Sequence, residues 1–129
     1  MPHNSDLIYA EQFEALIQAI VKYPSMYANG GSYEAVTSYI SGMDSHCHVL
    51  VGLYQWLVVQ LNGYDNVVWW ASLIELSEVP ISCPLETEQD HQHAIRFMGQ
   101  KLTEFFDYRR EVGLTTIFVD YAKWLNRHN

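Results

Sequence analysis

Apolar side chains recur at three- and four-residue spacing along most of this chain. That periodicity limits it to helices packed on their apolar faces. Phe13, Leu16, Ile17 and Ile20 fall at i, i+3, i+4 and i+7. Ser5 or Asp6 is the expected N-cap of this first helix, and Tyr23-Pro24 its end, since a residue before proline is pushed out of helical geometry. Asn29-Gly30-Gly31 reads as a turn and Ser32 as the next N-cap, with Glu34 in the first turn. Val36, Ile40 and Met43 carry the stripe onward, with Gly42 expected to allow a bend or a close approach. Asp44-Ser45 is read as the restart of a central helix that is apolar nearly all round, through Val49, Leu50, Leu53, Trp56, Leu57 and Leu61, ending at Asn62-Gly63.

Val67 to Leu76 fits either a helix or a short strand, and helix is favoured, with Val67, Trp70, Ala71 and Ile74 inward. Pro80 and Pro84 mark an acidic loop. Thr87 is the expected N-cap of a long helix reaching Val112, with Ile95, Met98, Leu102, Phe105 and Phe106 as its core stripe. Gly113 is its C-cap. Leu114, Ile117, Phe118, Tyr121 and Leu125 define a last helix, and Phe118 is placed on a core face. The expectation is an all-α, bundle-like single domain over residues 1–129, with five to six helices and short loops.

Charge constrains partners more than fold. The chain has 15 Asp and Glu against 7 Lys and Arg, a net −8. Between Tyr23 and Ile95 there is no Lys or Arg, while Glu34, Asp44, Asp65, Glu75, Glu78, Glu86, Glu88 and Asp90 lie there. Such a field repels phosphate backbones and anionic lipid and attracts basic partners. Simple solvation of an acidic surface is the competing reading. Arg109, Arg110, Lys123 and Arg127 are a weak nucleic-acid footprint and are expected to pair with Glu104, Asp107, Glu111 and Asp120. The longest apolar stretch, Val49 to Leu61, is too short for a membrane span, and the N-terminus lacks a basic and apolar leader pattern. A cytoplasmic location is therefore expected, with neither membrane nor nucleic acid as a direct partner.

Residues for chemistry are sparse. In a helix, His46 and His48, or His91 and His93, would point about 200° apart and could not share one metal. The zinc-binding helix motif needs histidines four apart. Cys47 and Cys83 lack a CxxC pattern and read as buried small side chains, although one disulfide stays open. No nucleophile elbow or phosphate-binding glycine loop occurs. A Cys47 pair with His91 or His93 would need a fold-level accident. No catalytic site, metal or cofactor is expected. Trp69, next to Trp70 and near Tyr64 and Asp65, could be a partly exposed anchor for a basic partner or pack in a side pocket.

Tyr23-Pro24-Ser25-Met26-Tyr27, Gly30-Gly31-Ser32 and Tyr39-Ile40-Ser41-Gly42 resemble a motif of small bacterial immunity proteins of contact-dependent growth inhibition and polymorphic toxin systems. Gly113-Leu114 with Ile117, Tyr121, Trp124 and Leu125 is similar to their terminal helix. The resemblance implies an antitoxin that binds a cognate toxin domain, commonly a basic nuclease such as one that cleaves transfer RNA, and occludes its active site. Pro24, Met26, Tyr27 and Gly42 of the motif read as a turn and a helix-packing seam. Expected toxin-facing residues are Glu75, Glu78, Glu86, Glu88, Asp90 and Asp65, with Trp69 and Tyr64 as anchors. The alternative is a helical regulatory or scaffold protein, as a monomer or homodimer. A small enzyme or metal protein using His46, Cys47, His48, His91 or His93 is the weakest reading.

Overall fold

The stripes at helical spacing do become helices. The computed structural model describes residues 4–62, 68–76 and 85–128, with 4–10 and Glu75 as backbone alone. Among these the protein is all-α, with six helices and no strand: α1 Asn4–Lys22, α2 Pro24–Tyr27, α3 Tyr33–Cys47, α4 Leu53–Leu61, α5 Trp69–Glu75 and α6 Glu88–His128. A short 3-10 turn, Asn29–Gly31, joins α2 to α3. No helix of the described residues is long and apolar enough to cross a membrane. The chain divides into two compact units, residues 1–50 with 81–99, and residues 51–80 with 100–129. α6 contributes to both.

In the first unit, Phe13, Ile17 and Ile20 of α1 are buried, as are Tyr33, Val36 and Ile40 of α3 and Ala94, Ile95 and Met98 of α6. α1 and α6 approach closely at Gly99, where a Cβ would stand 2.6 Å from Val21 Cγ2. α1 begins at Asn4, so Ser5 and Asp6 lie inside its first turn and not at its cap. Ser32 caps α3 as expected, its Oγ accepting the Ala35 N–H at 3.1 Å. Pro24 does end α1, but it also opens the four-residue α2, since proline suits a helix start.

Asp44-Ser45 does not restart a helix. α3 runs through both residues and stops at His48, which takes left-handed geometry (φ 56°). Asp44 instead closes the following turn, its carboxylate accepting the Leu50 N–H at 2.7 Å. Gly42 neither bends α3 nor meets a neighbour: a Cβ there would touch nothing within 4 Å. Cys47, expected to be buried, is exposed, because the last turn of α3 carries it on an outward side. Cys83 lies outside the described residues.

The second unit is built on α4. Leu53, Trp56, Leu57 and Val58 are buried, and the Trp56 ring sits 5.6 Å from Phe105 and 6.4 Å from Tyr108. α5 packs on α4. Its buried side is Ser72 and Leu73, whereas Trp70 is 39% exposed. The inward face expected through Trp70 is thus rotated: Leu73 is small enough to enclose completely, and the larger indole is left at the rim. Gly52 starts α4 with φ 90°, and a Cβ there would lie 2.9 Å from Leu114 Cδ2.

Gly113 interrupts α6 with φ 82° and ψ 159°, as the sequence predicts for a helix end at that glycine. Beyond it, Ile117 and Trp124 are the buried residues and Phe118 is 40% exposed, correcting its placement in the core. Trp124 takes the inward role. It donates Nε1–H to Asn62 Oδ1 at 3.1 Å and stacks on His128, with ring centroids 4.3 Å apart.

These glycine environments predict opposite outcomes. Gly42→Ala should raise stability to urea by about 0.5–1 kcal/mol, from helix propensity in open space. Gly52→Ala should lower it by more than about 1 kcal/mol, because φ is positive and Leu114 is in the way.

Candidate functional site

The acidic residues divide between the two units. Glu86, Glu88 and Asp90 belong to the first, while Glu75 and Trp69 belong to the second. Tyr64, Asp65 and Glu78 lie outside the described residues. Glu75 is the last residue of α5, and Trp69 is its first and is half-buried. By sequence, the first unit holds eight Asp and Glu (Asp6, Glu11, Glu14, Glu34, Asp44, Glu86, Glu88 and Asp90) against Lys22 and Arg96, a net −6 of the chain's −8.

Two helix N-termini organise the densest part of that charge. At the start of α6, Thr87 and Asp90 form a reciprocal capping box. Thr87 Oγ1 accepts the Asp90 N–H at 3.0 Å, and Asp90 Oδ2 accepts the Thr87 N–H at 3.1 Å and the Glu86 N–H at 3.3 Å. The Thr87 and Glu86 backbone N–H groups hold the Asp90 carboxyl below its ordinary range. The sequence predicts Thr87 as the cap. Asp90 was expected to face a partner, but it spends one oxygen on the helix start. The Thr-x-x-Asp spacing was the available signal for this second role.

The start of α3 stands beside the start of α6 through His91. Its Nδ1 accepts the Tyr33 backbone N–H at 2.9 Å and lies 3.5 Å from Glu34 Oε2. Glu34 is thereby placed next to the first turn of α6. Tyr33 itself is buried, and burial, then the Glu34 charge, pushes its phenol above the ordinary value. Nothing in the His91-x-His93 pattern signalled this contact, which joins residues 58 positions apart. His46, His48 and His93 are exposed. Among the described residues no three His, Cys, Asp or Glu side chains gather as a group able to hold a metal.

Glu34, Glu86, Glu88 and Asp90 have no Lys or Arg within ion-pair distance among the described residues. Their cluster is offset by the positive ends of α3 and α6 and not by cations. The bases of α6 make local contacts. Arg110 pairs with Asp107, as the sequence predicts, while Glu104 is taken by Lys101, whose Nζ is 3.1 Å away. Arg109 differs. It donates to the Val51 carbonyl at 3.0 Å, with its guanidinium 5.0 Å and 5.2 Å from the Phe105 and Phe106 ring centres.

Met26 and Gly42, expected in a helix-packing seam, do not pack there. Met26 is 76% exposed, Tyr23 and Tyr39 are exposed, and Gly42 faces open space. The Tyr27 ring meets Tyr39 edge-on at 6.4 Å. Gly30 and Gly31 do form the turn, and a Cβ at Gly31 would stand 2.6 Å from Ser25 Oγ. No family model, curated protein or solved structure matches this chain.

The capping box makes a stability prediction. Thr87→Ala should cost about 1 kcal/mol. Asp90 has a lowered folded-state pKa, so its contribution is present above the usual carboxylate range and is lost as pH falls through the lowered value. In Asp90→Asn, the decline of stability between pH 5 and pH 2 should be shallower than in the parent chain, as read by urea unfolding across that range.

Proposed function

We propose that this protein is an immunity protein, which binds a cognate toxin domain with a basic surface, such as a transfer-RNA-cleaving nuclease, and blocks it by occupying its active site. It acts by binding and not by catalysis, in the cytoplasm, with no cofactor. The observation that carries this reading is the cation-free acidic end of the first unit: Glu34, Glu86, Glu88 and Asp90 around two helix N-termini, without a Lys or Arg partner among the described residues. Carboxylates left uncompensated by side chains keep their field available to an incoming cation. The resemblance through Tyr23–Tyr27, Gly30–Ser32 and Tyr39–Gly42 supports the same reading. Glu75 and Trp69 of the second unit are separate candidates, and Tyr64, Asp65 and Glu78 are candidates on sequence grounds.

A second reading has its own observation. Val51, Phe118 and Val119 of the second unit are exposed apolar side chains, which would suit a helical scaffold that self-associates. Native mass of the isolated chain separates the two, since a stable homodimer would favour the scaffold.

The antitoxin reading is tested with the product of the neighbouring gene. Association should be fast at low salt and slow as ionic strength rises. Glu86→Lys with Glu88→Lys, both at exposed positions, should slow association about tenfold or more while leaving the fold intact. A rate indifferent to salt removes the steering role, and no complex at any salt removes the antitoxin reading.

A further inference from the structure

Folding leaves one apolar cluster of the first unit in water. Among the described residues of that unit, the exposed large apolar and aromatic side chains are Tyr23, Met26 and Tyr39, Met26 the most open of the three. Single residues of this kind scattered over a surface are ordinary. These three instead meet at the junction of α2 with α3. Met26 donates its N–H to the Tyr23 carbonyl at 3.1 Å, so both flank one turn. The adjacent Tyr27 ring meets Tyr39 of α3 edge-on at 6.4 Å.

The cluster is held in place from both ends. Pro24 fixes the start of α2, and the Ala28 N–H closes the helix on the Pro24 carbonyl at 2.9 Å. Ala28 is buried, and Gly31 packs so close that a Cβ there would stand 3.2 Å from the Ser25 backbone nitrogen. None of the four residues of α2 is itself buried. The turn is thus anchored by its flanks and presents Tyr23 and Met26 to solvent. An adaptable thioether and phenol rings on a fixed turn suit a contact surface, because little backbone ordering is left to do on binding. Gly42 follows Tyr39 at i+3 and so lies beside it on α3. It is exposed, its Cβ position has nothing within 4 Å, and a glycine weakens the helix it sits in. Its open space admits a partner's backbone next to the cluster.

Charge selects the occupant. α3 has no Lys or Arg, and its exposed Glu34 lies about 7–8 Å along the helix axis from Tyr39. Lys22, with Nζ 5.4 Å from the Tyr23 ring centre, is the cation at the margin. The unit as a whole carries −6. A second copy docked on this face would set −6 against −6, and anionic lipid would meet the same repulsion. A protein surface with Lys or Arg around an apolar hollow is complementary to it. We propose that the Tyr23–Met26–Tyr39 cluster is the docking anchor for a basic protein partner: Met26 and Tyr39 enter an apolar hollow, and Glu34 meets cations at its rim. This rests on the antitoxin reading for the partner's identity and adds the face by which that partner is held.

Kinetics with the full chain and the product of the neighbouring gene test it. Met26→Gln and Gly42→Gln alter exposed positions and should leave the fold intact, as urea unfolding checks. Each should speed dissociation of the complex about tenfold or more, with association altered far less. That is the reverse of the split expected for Glu86→Lys with Glu88→Lys. In the parent chain, hydrogen peroxide should convert Met26 to its sulfoxide readily when free and much more slowly in the complex, with buried Met98 as the control. A complex whose dissociation is unchanged in both variants, or in which Met26 oxidises at its free rate, overturns this docking face and leaves the antitoxin reading standing. A homodimer of the isolated chain that Met26→Gln separates gives the face to a second copy and overturns the proposal as well. No complex with the parent chain removes the antitoxin reading and this proposal together.

Discussion

The apolar stripe of α6 has to leave water, and the described structure follows from how that is done. Ala94, Ile95 and Met98 are enclosed in the first unit, and Leu102, Phe105 and Phe106 in the second. Each buried side chain of this size contributes about 1.5–3 kcal/mol relative to exposure, so neither unit can give up its part of the helix cheaply. Gly99 shows how tight the enclosure is on the first unit's side, where Val21 of α1 leaves no room for a Cβ. Arg109 extends the packing in the second unit by covering Phe105 and Phe106 with its guanidinium while capping the Val51 carbonyl.

Burial at the start of α6 has an electrostatic consequence. Once Ile95 and Met98 are inside, the first turn of the helix must project its polar residues beside the start of α3. Glu86, Glu88, Asp90 and Glu34 then share one end of the unit. Two helix N-termini supply the positive partial charge that Lys and Arg do not. The capping box and the His91 contact account for the N–H groups of Glu86, Thr87, Asp90 and Tyr33. The acidic end is therefore an ordered structure and not a random excess of carboxylates, and its outward-facing acids remain open to a cationic partner.

The exposed motif residues give the antitoxin reading a different shape from the one the sequence suggested. Met26, Tyr23 and Tyr39 lie on the surface of the first unit, the same unit that holds most of the net charge. Met26, expected in a packing seam, is thus open to solvent, and Trp69, expected to be partly exposed or packed in a side pocket, is half-buried.

Helix positions and most of the buried residues were legible in the chain itself, because a face repeating every 3.6 residues can be enclosed only as a helix. Phe13, Ile17, Val36, Ile40, Trp56, Leu102 and Phe105 all go where their spacing sends them, and Ser32, Thr87 and Gly113 punctuate as their chemistry requires. The errors fall where two similar faces compete. Trp70 and Leu73 are separated by less than one turn of helix and Phe118 and Trp124 by less than two, and only the shape of the neighbouring elements selects between them. The contact between His91 and Tyr33 was beyond local reading altogether. A hydrogen bond across 58 positions depends on how α3 and α6 are brought side by side, and packing sets that, whereas periodicity describes each helix alone.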